Sequence, residues 1–273
     1  MFHQEKITLK SYLVSVLLLL FCAAKAQEST ASNQVSIFKL ESPELQSTKK
    51  IWLYLPKNYT TSTKKYPVIY MHDGQNLFDA KTSFAGEWNI DEKLDSLNAQ
   101  VIVVGIETTD KRLEELTPFV NAKHGGGKAN DYLDFIVNTL KPKIDATYRT
   151  KTHPRNTMMM GSSLGGLTSF YALLKYPNVF GKAGVFSPAF WFNRNELVDL
   201  MKETKNFDAK VYFLHGDNEG DPDMIPDLNL IEHLVNTKRC ECKKLNKKVL
   251  VKGGQHNEKL WRDGFVKAYL WLF

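Results

Sequence analysis

Five stretches constrain this chain's fold most: "YPVIYMHDG" (66–74), "VIVVGI" (101–106), "NTMMMG" (156–161), "KAGVFSP" (182–188) and "KVYFLHG" (210–216). Each contains a run of apolar residues of strand length, where a half-exposed strand would alternate polar and apolar side chains. Such runs suit strands covered on both faces, the usual state of a parallel sheet. Between and after them come segments with apolar residues at helical spacing: "EWNIDEKLDSL" (87–97), "ANDYLDFIVNTLKPKI" (129–144), "LGGLTSFYALLKY" (164–176), "DLNLIEHLV" (227–235) and "EKLWRDGFVKAYLWLF" (258–273). "KKVLVKG" (247–253) reads as the last strand. This alternation predicts an α/β fold, a mostly parallel central sheet with helices on both faces. "VSIFKL" (35–40) and "KKIWLYLP" (49–56) do alternate, so they are expected as antiparallel strands at the N-terminal edge.

The chain has 273 residues, 43% hydrophobic and 24% charged, enough for one sizeable core. No internal repeat or linker divides it, so residues 27–273 are expected to form a single domain. The first 26 residues read as a secretory signal. Lys6 and Lys10 give the positive start, "YLVSVLLLLFC" (12–22) the apolar stretch, and Ala24-x-Ala26 a cleavage site before Gln27. An uncleaved anchor is the alternative. A lipoprotein cysteine at Cys22 is disfavoured by the bulky Phe21 before it. The expected location is therefore secreted or periplasmic, with no membrane span after signal removal. Loss of the signal lowers the net charge from +6 to about +4. The basic residues are scattered among acids without a stripe interleaved with aromatics, which argues against nucleic acid as a partner. Cys240 and Cys242, one residue apart, are expected as free thiols on a basic loop, since a disulfide across that spacing is strained.

The chemistry centres on "GSSLGGL" (161–167), where a buried strand hands over to a helix. A serine nucleophile must stand clear of the sheet on a tight strand–turn–helix elbow. The tightness excludes side chains two residues before and two after it, hence Gly-x-Ser-x-Gly. Ser163 fits, between Gly161 and Gly165; Ser162 would have Met160 and Leu164 at those places. The partners of such a serine follow in the order acid, then histidine. "HGDNEGDPD" (215–223) offers Asp217, Glu219, Asp221 and Asp223 after a strand, and the pattern alone does not choose among them. "GGQHNEKLW" (253–261) places His256 on a loop after the last strand. Backbone N–H groups must receive the oxyanion. The Leu164 N–H follows the nucleophile, and the Gln75 N–H in "HDGQN" is expected as the second donor. "HGGG" (124–127) mimics an oxyanion motif but follows the wrong strand, and a rim loop is expected there. It is not a phosphate loop, because Lys128 is followed by Ala129. His215 is expected as a satisfied packing residue and His233 as solvated. Trp88 and Trp191 are candidate substrate-binding residues, with core packing as the other reading.

The segments "YMHDGQNLFD", "KRLEELTP", "GSSLGGLTSFYAL", "FSPAFW", "YFLHGDNEG" and "GGQHNEKLW" together resemble the esterase family of α/β-hydrolases that groups feruloyl and acetyl-xylan esterases, the esterase D type and siderophore esterases. The resemblance runs from about residue 36 to the C-terminus. It implies a Ser163–Glu219–His256 triad, the acid being favoured by a Gly-x-x-Asp/Glu turn at Gly216–Glu219, with Asp217 as runner-up. It also implies a serine esterase that works without metal or organic cofactor, on an acylated polysaccharide or a siderophore ester. A binding module that has lost catalysis, or an acyltransferase of the same fold, would be the alternatives.

Overall fold

A computed structural model describes residues 28–238 and 245–273. The signal-like segment and the Cys240/Cys242 loop lie outside the described residues. Eight strands form one sheet: β1 (Val35–Ser42), β2 (Ser47–Tyr54), β3 (Val68–His72), β4 (Ile102–Ile106), β5 (Thr157–Ser162), β6 (Lys182–Phe186), β7 (Lys210–Gly216) and β8 (Asn246–Val251). Their order is β1-β2-β4-β3-β5-β6-β7-β8. β4, β3 and β5 to β8 run parallel, while β2 is antiparallel to β4 and β1 to β2. The leading pair thus sits at the expected edge.

Successive side chains of each central strand feed opposite faces. Val68 and Tyr70 of β3 enter one core, with α3 (Ala129–Asp134), α4 (Lys141–Thr147), α5 (Leu164–Lys175), α6 (Arg194–Glu203) and α7 (Met224–Thr237) packed around it. Ile69 and Met71 enter the other, covered by α1 (Ile90–Ser96) and α8 (Glu258–Leu272). α2 (Arg112–Glu115) is a single turn between β4 and α3. The segment read as one helix over 129–144 is interrupted. Its middle, Phe135–Leu140, winds as a π-helix, which joins α3 to α4.

The chain crosses from β4 on one side of β3 to β5 on the other. Strand order reverses there, so a crevice opens outside the carboxyl ends of β3 and β5, the position where α/β sheets bind ligands.

Candidate active site

Ser163 stands at that crevice, between β5 and α5, with φ 57° and ψ −121°. Its N–H donates to the Phe186 carbonyl (2.9 Å), and its own carbonyl accepts from Ala189 N–H (3.1 Å) and Leu167 N–H (3.0 Å). The flanking glycines sit in tight space, Gly161 the tighter of the two. A Cβ on Gly161 would lie 2.7 Å from the His72 ring, and one on Gly165 would lie 3.2 Å from the His72 Cβ. Gly166 lets α5 approach β6, since a Cβ there would meet the Phe186 carbonyl oxygen at 2.8 Å. Leu164 is the first residue of α5, where the N–H has no intrahelical acceptor.

β7 ends at Gly216, and the following turn carries Glu219 into the interior. Its Oε2 accepts from His256 Nδ1 (2.8 Å), while Oε1 accepts from the Gly216 N–H (2.6 Å) and the Ser187 hydroxyl (2.6 Å). Burial alone would raise the Glu219 pKa; the donors from His256, Ser187 and Gly216 outweigh it and hold the carboxyl below its ordinary value. The contact to His256 Nδ1 fixes the ring so that Nε2 is left for other work. Asp217 points elsewhere and accepts the Gly253 N–H (2.6 Å).

Ser163 and His256 line one cavity of about 390 Å³ together with Gln75, Trp88, Arg112 and Trp261. Gln75 lies in a short 3-10 turn, Gly74–Asn76, just past β3. Its side chain is locked to Thr108, donating from Nε2 (3.2 Å) and accepting the Thr108 N–H (3.1 Å). Asp73, at φ 56°, begins this turn. Arg112 grips it with two parallel hydrogen bonds of 2.7 and 2.8 Å, and the Thr108 hydroxyl donates to the same carboxylate. Burial would raise the Asp73 pKa, but Arg112 and Thr108 bring it below its ordinary value. His72, buried beneath the elbow and hydrogen-bonded to Tyr132 (2.9 Å), is pushed down to about 4 by desolvation, so its ring is neutral.

The comparisons with known proteins agree with this architecture. A family described as "Putative esterase" matches residues 42–272. The chain belongs to this esterase family. It is therefore a hydrolase acting on ester bonds. It is 28% identical over 240 residues to the uncharacterized protein YbbA of Bacillus subtilis, covering 82% of this chain and 92% of that one. It is 32% identical over 149 residues to the siderophore triacetylfusarinine C esterase of Aspergillus fumigatus, across 52% of this chain and 49% of the relative. In structure it resembles the enterobactin esterase of Shigella flexneri, with a TM-score of 0.72, 20% identity, and 89% of this chain and 59% of that chain covered. It also resembles a ferulic acid esterase, with a TM-score of 0.68, 16% identity, and 87% and 97% covered.

The two candidate substrate aromatics of the esterase part company. Trp88 lines the cavity, its indole stacked on Phe186 (5.6 Å, 5°) and tilted against Trp261 (5.9 Å). Trp191 is 39% exposed and absent from the cavity lining; it packs on His124 of the "HGGG" loop and on Phe192. His215 is buried as expected but not fully satisfied. Its Nδ1 lies 3.3 Å from Glu219 Oε1, and its Nε2 has no partner. Sequence reasoning passed over Ser187 and Trp261. Trp261 Nε1 donates to the Ser187 hydroxyl (2.9 Å), which in turn donates to Glu219. The signal was present, since "FSP" directly follows β6 and "HNEKLW" carries His256 and Trp261 on one loop–helix junction. Phe84, 92% exposed at the cavity rim, also went unmarked.

Proposed function

We propose that the protein is a serine esterase in which Ser163, His256 and Glu219 act as nucleophile, base and orienting acid. The observation that carries this reading is the Glu219–His256 hydrogen bond at a cavity that Ser163 shares. His256 Nε2 takes the Ser163 hydroxyl proton as Oγ bonds to the ester carbonyl carbon. The oxyanion is received by the N–H groups of Leu164 and Gln75. His256 then passes its proton to the departing alcohol, leaving an acyl-enzyme. Water, deprotonated by the same ring, releases the acid. Glu219, kept anionic by its donors, holds the tautomer and stabilises the imidazolium.

The substrate reading rests on charge. Among the described residues lining the cavity there is no lysine, and the single cation, Arg112, is already paired with Asp73. Glu258 adds a further acid. This favours an uncharged acyl or aryl ester, of the feruloyl or acetyl kind on a polysaccharide, over an anionic siderophore complex. Phe84, exposed at the cavity rim, supports a ring-bearing ligand. A siderophore ester is the second reading, favoured by the relatives that cleave such esters. The signal-like N-terminus supports an exported enzyme that begins at Gln27, as a single domain, and among the described residues no helix is long and apolar enough to cross a membrane.

The test is hydrolysis of p-nitrophenyl butyrate, methyl ferulate and acetylated xylan by the purified protein beside folded Ser163→Ala. We expect turnover in the first and a loss of roughly 10⁴-fold or more in the second. A wild-type protein inert on all esters, siderophore trilactones included, would sink the reading.

A further inference from the structure

A second polar centre lies behind Trp88. Glu87 ends the loop before α1, and Asp91 and Glu92 occupy the first turn of that helix. Glu87 is 5% exposed and Asp91 0%. One oxygen of each carboxylate is held in place by the protein. Glu87 Oε2 accepts the Thr30 hydroxyl (3.0 Å), Asp91 Oδ2 the Ser32 N–H (2.7 Å) and Glu92 Oε1 the Asn89 side-chain amide (3.3 Å). The other oxygens, Glu87 Oε1, Asp91 Oδ1 and Glu92 Oε2, are buried and receive no donor from the rest of the protein, Asp91 and Glu92 standing close enough to share a proton. The hydroxyl oxygen of Ser32 is likewise buried without a partner.

No basic side chain forms a salt bridge with these three acids among the described residues. Arg262 is close enough to act on the Glu87 charge, but its guanidinium donates to the Glu87 backbone carbonyl (3.0 Å) rather than to the carboxylate. Buried carboxylates left in that state are satisfied by protons or, alternatively, by a cation.

The spacing fits the other solution. One oxygen from each of Glu87, Asp91 and Glu92 falls within 4.8 Å of the other two. Two oxygens bound to one Ca²⁺ at about 2.4 Å can be no further apart than about 4.8 Å. The donor set is all oxygen and mostly anionic, without nitrogen or sulfur. That is the chemistry of a hard cation such as Ca²⁺ and not of Zn²⁺. The held oxygens orient the free ones, as hydrogen-bonded partners do around metal ligands.

We propose that Glu87, Asp91 and Glu92 form a Ca²⁺ site that ties the N-terminal segment 29–32 to the loop walling the candidate active site. The segment is secured there a second time, because Ser29 and Thr30 also bind Asp79 through a hydroxyl (2.6 Å) and an N–H (3.2 Å). Since Trp88 follows Glu87 directly, the ion would steady the cavity wall without touching the reacting atoms.

The test uses the purified protein after chelation and desalting. Thermal unfolding is followed as CaCl₂ is added, and Tb³⁺ luminescence sensitised by neighbouring tryptophan reports the site directly. A saturable rise in Tm of roughly 5–10 °C at a hundredfold excess over the Kd is expected. Ca²⁺ should displace the Tb³⁺ signal, and Asp91→Asn and Glu87→Gln should lose both responses. Should either variant fail to fold, Glu92→Gln takes its place. A Tm unmoved by millimolar Ca²⁺, or an equal rise in the folded variants, would overturn the site. So would a response to Mg²⁺ but not to Ca²⁺.

Discussion

Glu219 and Asp91 are both withdrawn from water, yet their carboxyl pKa values move in opposite directions. Three donors from three separate segments meet the Glu219 oxygens, and the carboxyl lies below its ordinary pKa. Asp91 receives only backbone N–H groups, shares a hydrogen bond with the Glu92 carboxyl, and is pushed up to about 7. Burial is common to both, so it does not decide the shift; the count and direction of the donors do. A carboxylate meant to stay anionic beside a histidine is given hydrogen bonds. The Asp91 cluster is given fewer, which leaves room for a cation.

The sharpest way to break this contrast is to neutralise both acids. Glu219→Gln should lower kcat on p-nitrophenyl butyrate by about 10³–10⁴-fold, because the imidazole tautomer and its charged form lose their partner. Asp91→Asn should leave that kcat within about twofold and lose the response to Ca²⁺ instead. A comparable kcat loss in both would abolish the distinction. Next in size is Ser187→Ala, which removes one donor from Glu219 and leaves Trp261 Nε1 without its acceptor. Loss of one such hydrogen bond should reduce kcat about tenfold with little change in KM.

A pH series sharpens the contrast from the basic side. His72, fully buried beneath the elbow, is held by desolvation at about 4 against an ordinary 6.5. Between those values the unfolded chain binds the extra proton and the folded one does not. His72 therefore costs stability as pH falls from about 6.5 to about 4. His72→Gln should flatten the fall of Tm over that window; an unchanged slope would show that another group carries it. Smallest is Asp217→Asn. Its amide oxygen can still accept the Gly253 N–H, so kcat should change less than about threefold.

Much of the scaffold was legible because its signals are local. Five apolar runs announce the central strands, and the glycines around Ser163 announce the elbow through sterics that act within a few residues. The turn from Gly216 to Glu219 is also local, although the choice of Glu219 over Asp217 depends on which carboxylate faces a loop 37 positions away. What escaped is long-range. Ser187 is joined to Trp261 across 74 positions, and Thr30 to Glu87 across 57. Neither pair leaves a periodic mark. The π-helical stretch Phe135–Leu140 was hidden for another reason, since its buried Phe135, Ile136 and Leu140 keep a spacing that reads as ordinary helix. Trp191 belongs to the 3-10 turn Phe190–Asn193, whose direction no spacing rule foretells.

The backbone of Ser163, at φ 57° and ψ −121°, occupies a region that costs a residue with a side chain about 1–3 kcal/mol. The protein holds that tension permanently, through the hydrogen bonds to Phe186 and Ala189, to keep one hydroxyl raised above the sheet. With Ser163 as the nucleophile proposed above, robustness and turnover are set against each other at a single position. Ser163→Gly would relax the elbow and give a catalytically silent protein that outlasts the working one on heating.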